Sequence, residues 1–357
     1  MSKKAILGLM ITLIFSLILS IMLFFPKPYS SQNEIRGMRA RFLVKGEFDF
    51  YYNSNISSNV LGYDALKLAC ELAPLYGLNI HVWLTVMCDS YLISQNETYA
   101  MVKIDQSKNF EWLNPVYPEV HNYILSIVNE LLHYPIKGIH LDYIRFPDNQ
   151  YSYDNYSRLL FQSEYGFDPL TNPNSPEWVN WRCQQITNIV NEIKIQVKTF
   201  NHSLILSSAV IPESKEYYLQ DWLNWMMDYF VPMAYTDSPY SFEDSCKMAK
   251  PKQGASKVLM GIGIYTFNDS SILIKEINLT RQYQLSGWAL FRENYLYNDD
   301  FINTIKNIDQ ILNTNISTPT IWYDDPKIFV IIIVLCFFWN YGFQRILSLK
   351  VFPQLGD

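Results

Sequence analysis

The stretch Lys137–Asp148, KGIHLDYIRFPD, decides how the rest of the chain is read. Ile139 and Leu141 alternate with His140 and Asp142. An extended segment here therefore has one apolar face and one face bearing an imidazole and a carboxylate. An amphipathic helix is predicted just before it, over Tyr117–His133, and a long polar segment follows. That order predicts a parallel strand with helices against one face. In a parallel (β/α) barrel the other face points at the barrel axis. Asp142, the last inward residue, then sits on the rim where such barrels carry their chemistry. Arg145, Phe146 and Pro147 come next, and the proline ends a central strand. A structural Asp–Arg pair closing a loop would account for the same spacing.

The pattern recurs at Asn79–Thr85, NIHVWLT, where Ile80, Val82 and Leu84 alternate with His81, Trp83 and Thr85. Further strands are predicted in Met38–Tyr52, Ser203–Val210, Phe230–Tyr235, Val258–Tyr265 and Gly287–Phe291. Helices are predicted over Tyr63–Tyr76, Trp178–Phe200, Ser271–Tyr283 and Asp299–Leu312. Cys88–Phe110 reads as a long loop, and Asn149–Ser175 as an insertion covering part of the rim. The strands number seven, where a full (β/α)8 barrel has eight. The expected fold is a TIM-type barrel over residues 33–312 whose first strand is missing or reduced to residues 33–38.

The net charge of −6 argues against a nucleic-acid surface. Tyrosine, phenylalanine and tryptophan are abundant at 26, 21 and 9 residues, enough to fill a core and still line a cleft. Ala5–Phe25 is an unbroken apolar run of bilayer-spanning length behind Ser2-Lys3-Lys4, and reads as a membrane anchor with residues 1–4 in the cytoplasm. A cleavable signal peptide is the rival. Ile328–Gly342 opens a second, shorter apolar run, read as a transmembrane helix over 328–344 with a cytoplasmic tail at 345–357. Residues 313–327 are its linker. The domain between the two runs is then extracytoplasmic. Asn-x-Ser/Thr acceptors at Asn55, Asn96, Asn155, Asn201, Asn268, Asn278 and Asn315 all lie in that part, where glycosylation is possible. Cys70, Cys88, Cys183 and Cys246 show no metal-ligand spacing, and no cofactor is implied. Outside the cytoplasm two disulfides are permitted, without a pairing that sequence defines.

Trp112–Pro147 resembles the glycosyl-hydrolase-like family 10 group. The resemblance rests on Leu113-Asn114-Pro115, Pro118-Glu119-Val120, a helix, and then Gly138-Ile139-His140-x-Asp142-Tyr143-x-Arg145-Phe146-Pro147. Tyr52-x-Ser54 and the His81-x-Trp83-Leu84 strand fit the same group. The resemblance implies a TIM-type barrel acting on carbohydrate, with the key carboxylate on Asp142. More weakly, Met233–Asp237, MAYTD, is similar to a strand of chitinase-type barrels, which implies a role for Asp237. The position of the chitinase acid is Ile144 here, so that mechanism does not carry over intact.

Glycoside hydrolysis uses two carboxyl groups flanking the bond. Asp142 is the first. Asp49, Asp89, Glu213, Asp237 and Glu293 all follow predicted strand ends, and Asp237 and Asp49 are favoured as its partner. His140, Tyr143, Arg145, Trp83, Tyr235, Trp288 and Glu293 are the candidate substrate contacts: rings to stack on sugars, and polar groups to bind hydroxyls or a substrate carboxylate. The expected activity is cleavage of glycosidic bonds in a cell-surface or environmental polysaccharide. A non-catalytic glycan-binding barrel and a structural subunit of a membrane assembly are the alternatives.

Overall fold

The computed structural model describes residues 35–39, 42–45, 49–57, 59, 61–76, 79–291, 303–304 and 329–331. In chain order the elements begin with β1 (Ile35–Arg39), β2 (Phe42–Lys45), α1 (Ala65–Leu72), β3 (His81–Thr85) and α2 (Ser90–Gln95). The hairpin strands β4 (Ala100–Val102) and β5 (Lys108–Leu113) follow, then α3 (Pro118–Leu132), β6 (Gly138–Asp142), α4 (Asn155–Tyr165) and α5 (Pro176–Phe200). The remainder is β7 (Ile205–Val210), α6 (Lys215–Tyr218), β8 (Tyr229–Pro232), α7 (Pro239–Ala249), β9 (Lys257–Gly263), α8 (Ser270–Gln282), β10 (Gly287–Phe291) and β11 (Phe329–Ile331).

Nine strands form one sheet in the order β11-β1-β10-β9-β8-β7-β6-β3-β2. Every pairing in it is parallel. Helices intervene between most successive strands, which is the TIM-barrel-like order expected from sequence. Only two residues separate β1 from β2, too few for the crossover that neighbouring parallel strands need. The two do not pair: β1 joins β10, and β2 joins β3 at the other end of the sheet. Three Cα steps link Arg39 to Phe42, so these ends lie within roughly 11 Å of one another and the sheet curls round. The strand that the sequence count lacked is thus the short segment Ile35–Arg39.

The two faces of the sheet differ as the alternation requires. Ile139 and Leu141 of β6, Val82 and Leu84 of β3, and Leu206 and Val210 of β7 belong to the main core. They share it with Val120, Ile124, Ile127, Val128 and Leu131 of α3, a stripe at helical spacing. Tyr229, Val231, Leu259 and Ala289 form a separate cluster on the opposite, inner face. Pro118 at the first turn of α3, and Pro176 behind the Ser175 cap of α5, fix where those helices begin.

Two regions depart from expectation. Cys88–Phe110 is not a plain loop. Asp89 caps α2 by accepting from the Leu92 N–H at 2.9 Å, and the β4–β5 hairpin follows, its turn tied where Ser107 donates to Asp105. Phe329–Ile331, the start of the second apolar run, pairs in parallel with β1 instead of opening a transmembrane helix. No helix among the described residues is long and apolar enough to cross a membrane. Ala5–Phe25, residues 332–344 and both predicted cytoplasmic tails lie outside the described residues. Cys70, Cys183 and Cys246 are buried free thiols, and Cys88 is buried as well.

One buried ion pair ties the rim side of this framework together. Lys45 on β2 places its Nζ 3.0 Å from Asp89 Oδ2, both side chains wholly buried. The ammonium also donates to the carbonyl oxygens of Thr85 and Cys88 and to Thr85 Oγ1, at 3.2 to 3.3 Å. Tyr123 of α3 donates to Asp89 Oδ2 at 2.7 Å. Removing one member of a buried pair strands the other charge, at a cost of about 3–5 kcal/mol. Lys45→Met should therefore lower unfolding free energy in urea by that order, and adding Asp89→Asn should return part of it. Equal stability of Lys45→Met and wild type would show that the pair ties nothing.

Candidate active site

The site is built on the β3–β6 ladder, whose register sets His81 opposite Gly138, Trp83 opposite His140 and Thr85 opposite Asp142. Gly138 is needed there, because an added Cβ would lie 2.5 Å from His81 Nδ1. Burial pushes His81 down to about 3, so its ring is neutral. One layer up, His140 is almost wholly buried, and its Nδ1 lies 2.9 Å from Ser207 Oγ on β7.

Asp142 ends β6 with its side chain 7% exposed. Its Oδ1 accepts from the Tyr143 backbone N–H at 2.7 Å, and its Oδ2 from the Trp83 indole Nε1–H at 3.0 Å. Tyr143 holds a left-handed backbone with φ 52°. A non-glycine residue in that conformation next to a rim carboxylate is the kind of strain that collects at functional sites. The strand pairing continues past the ladder, with Val86 N–H donating to the Asp142 carbonyl at 2.9 Å.

Arg145 is boxed by rings. Its guanidinium carbon lies 4.7 Å from the centroid of Tyr218, 5.0 Å from Trp112 and 5.8 Å from Tyr143. It donates to the Phe146 carbonyl at 2.8 Å. Burial pulls the Arg145 pKa down, and the negative charge of Asp142 is the largest influence opposing this. The two side chains therefore act on each other electrostatically within one site. Ile144, between them, points into the core and is wholly buried.

A second group of rings lies at the ends of β8 to β10. Tyr235 stacks on Phe291 at 4.9 Å with planes 10° apart, and Tyr265 meets both edge-on. Gly263 makes the stack possible, since a Cβ there would sit 2.9 Å from Tyr235 Cβ. Tyr265 is 39% exposed.

Other candidates fall elsewhere. Trp83 is buried, and its indole N–H is engaged by Asp142. Trp288 packs in the main core between sheet and helices, on the opposite side of β10 from the inward-facing Ala289. Asp89 is committed to Lys45 and Tyr123. Glu213 is exposed, Asp49 is half-buried, and Glu293 lies outside the described residues. Asp237 is exposed, and its charge acts on Glu276 of α8. Tyr52 and Ser54 latch onto Glu130 of α3 at 2.8 and 2.6 Å, a structural task. Trp112, Tyr218, Tyr265, Phe291 and Ser207 were not singled out from sequence. The first four lie in a loop or towards the ends of short elements, where no periodicity points to a site; Ser207 shared the period-2 face of β7 and was open to being found.

The sheet and its rim define a glycoside-hydrolase-like α/β fold. The chain belongs to the family Glycosyl hydrolase-like 10, whose profile matches residues 52–284. No curated protein sequence matches it. Among solved structures it is similar to the PgaB (BpsB) glycoside hydrolase domain from Bordetella bronchiseptica, with TM-score 0.66 and 13% identity over 83% of this chain and 92% of that one. It also resembles α-L-fucosidase isoenzyme 2 from Paenibacillus thiaminolyticus, with TM-score 0.55, 15% identity and coverage of 73% and 41%. The catalytic domain of β-amylase from Paenibacillus polymyxa gives TM-score 0.53, 12% identity and coverage of 74% and 88%. At such identities these likenesses concern the fold.

Glu276, the neighbour of Asp237, is wholly buried, with neither carboxyl oxygen hydrogen-bonded. Burial first, and the Asp237 charge second, push it up to about 9 from 4.5. Cys246 of α7 faces it, with a thiol that burial pushes up to about 12. Above pH 4.5 the unfolded chain releases the Glu276 proton while the folded chain keeps it. The native state then binds more protons, and stability falls as pH rises from about 4.5 to about 9. Glu276→Gln, neutral throughout, should show a smaller drop in Tm than wild type between pH 5 and pH 9. Parallel Tm profiles for the two proteins would refute the assignment.

Proposed function

We propose that the protein is a glycoside hydrolase in which Asp142 acts on the glycosidic bond. The observation that supports this best is a carboxylate held at the last inward position of β6 by donors on both oxygens, beside the charge of Arg145. Membership of a glycosyl-hydrolase-like family agrees with it. In this reading the sheet is a (β/α)8 TIM-type barrel whose eight strands are β1, β2, β3, β6, β7, β8, β9 and β10. Asp237 and Asp49 stand as candidates for the second carboxylate. A carboxyl separation near 5–5.5 Å gives retention and about 6.5–9.5 Å gives inversion. Arg145 orients polar groups of the sugar, and His140, buried against Ser207, backs the layer beneath Asp142. Tyr235, with Tyr265 and Phe291, offers a stacking face, and Tyr143 a further ring.

The buried Ile144 in place of a chitinase-type acid favours a second reading, a barrel that binds glycan without cleaving it. Ala5–Phe25 supports placement at a membrane with the domain outside. Protease added to sealed cells should then cut the domain, and protection of it would exclude that placement.

The central test is turnover by the full chain on 4-nitrophenyl α-L-fucoside, 4-nitrophenyl β-D-galactoside and amylose, chosen from the sugars in the names of structurally similar enzymes. Asp142→Asn should lower the rate on an active probe by roughly 10²–10⁴-fold. The amide keeps an acceptor for one of the two donors, so stability should fall by only about 1 kcal/mol. Unchanged turnover would remove Asp142 from the chemistry. Binding of a probe without cleavage would favour the second reading.

A further inference from the structure

We propose that Trp83 is a positioning residue for Asp142, and not a surface on which sugar stacks. This rests on Asp142 being the catalytic carboxylate. Trp83 is 6% exposed, which leaves no ring face free for a pyranose. Its one polar atom is spent on Asp142 Oδ2 at 3.0 Å.

The register explains why tryptophan stands there. Thr85, not Trp83, is directly opposite Asp142, so Trp83 is a diagonal neighbour two residues back on the adjoining strand. Strand spacing and residue rise put the two Cα atoms roughly 8 Å apart. An indole bridges that diagonal with a neutral donor. A phenyl ring would fill the same space and donate nothing, and a lysine would bring a charge into a buried layer.

The two donors to Asp142 do different work. The Tyr143 N–H belongs to the same chain segment, so it follows wherever the end of β6 goes. The Trp83 N–H comes from β3, so it ties the carboxylate rotamer to the body of the sheet. The indole is itself supported. His140, its partner in register, is fixed by Ser207 Oγ, and the neutral His81 fills the layer below beside Gly138. Trp83 thus transmits a rigid, uncharged floor to the reactive group.

Trp83→Phe is the test, because it keeps ring and packing but deletes the donor. On a probe that the wild type cleaves, among 4-nitrophenyl α-L-fucoside, 4-nitrophenyl β-D-galactoside and amylose, kcat should fall roughly 10- to 100-fold, as for loss of one hydrogen bond to a charged group. KM should change less than about twofold, because ground-state binding is untouched. Should Trp83→Phe fold poorly, β-(3-benzothienyl)alanine at position 83 replaces the N–H with sulfur at nearly constant shape and must give the same kinetics. Independently of turnover, the Trp83 indole ¹⁵N–¹H resonance should shift in Asp142→Asn.

Wild-type kcat in either position-83 variant, with Asp142→Asn inactive, overturns the inference alone. So does a rise in KM at constant kcat, which marks a stacking platform, and so does an unmoved indole resonance. Wild-type turnover by Asp142→Asn, or no turnover of any probe by the wild type, removes the catalytic reading of Asp142 and this inference with it.

Discussion

The parallel register of β3 against β6 is the constraint on which the site depends. It aligns His81, Trp83 and Thr85 with Gly138, His140 and Asp142 on one face. It sends Val82, Leu84, Ile139 and Leu141 into the core beneath the helices. Side chains alternate with period two, so a slip of one residue would drive Asp142 into the helix layer and Leu141 to the inner face. Burying those four apolar residues therefore also fixes where the carboxylate points. Core and chemistry are set by the same ladder of backbone hydrogen bonds.

The rim above that ladder is held by buried polar contacts more than by apolar packing. Lys45 and Asp89 link β2, the start of α2 and α3. Asn114 donates to Asp154 Oδ2 at 2.7 Å and to Ser157 Oγ at 3.1 Å, fastening the loop before α3 to the start of α4. Arg182 of α5, stacked over Trp178, donates to the carbonyls of Asn149 and Tyr151 and pins the segment that follows Asp142. Long connections carry backbone groups that need partners once buried, and these side chains supply them. Arg145 follows a different principle. Three rings surround its guanidinium, so its charge is held in place near Asp142 by faces that accept a cation without neutralising it.

Glu276 shows how a buried carboxylate can be confused with a site. It is wholly enclosed with neither oxygen hydrogen-bonded, and its pKa is raised by burial first and by the Asp237 charge second. Its electrostatic partner Asp237 is exposed. Asp142 differs in kind, because each of its oxygens has a donor and it stands at a strand end. A shifted pKa by itself marks desolvation, whereas convergent donors at a rim mark a group that the fold has oriented.

Much of this was legible in the sequence. Alternation within residues 80–85 and 139–142 gave the strands and their faces, because period two is a property of the local backbone. Helical spacing gave α3 and α5, since an apolar stripe needs only neighbours three and four residues away. The motif around Asp142 gave the family. What sequence could not show was contact between segments far apart. The short first strand became visible only through its pairing with β10, and Phe329–Ile331 read as the start of a membrane span until β1 paired with it. Trp83 carries the same aromatic signal whether it packs or binds sugar, and only the folded chain shows its N–H against Asp142. Trp112 and Tyr218 lie more than 100 residues apart and carried no local signal, and it took the folded chain to bring them both against one guanidinium. Sequence fixes what each segment prefers by itself, but which buried donor meets which acceptor is settled by register and chain closure, which are properties of the whole sheet.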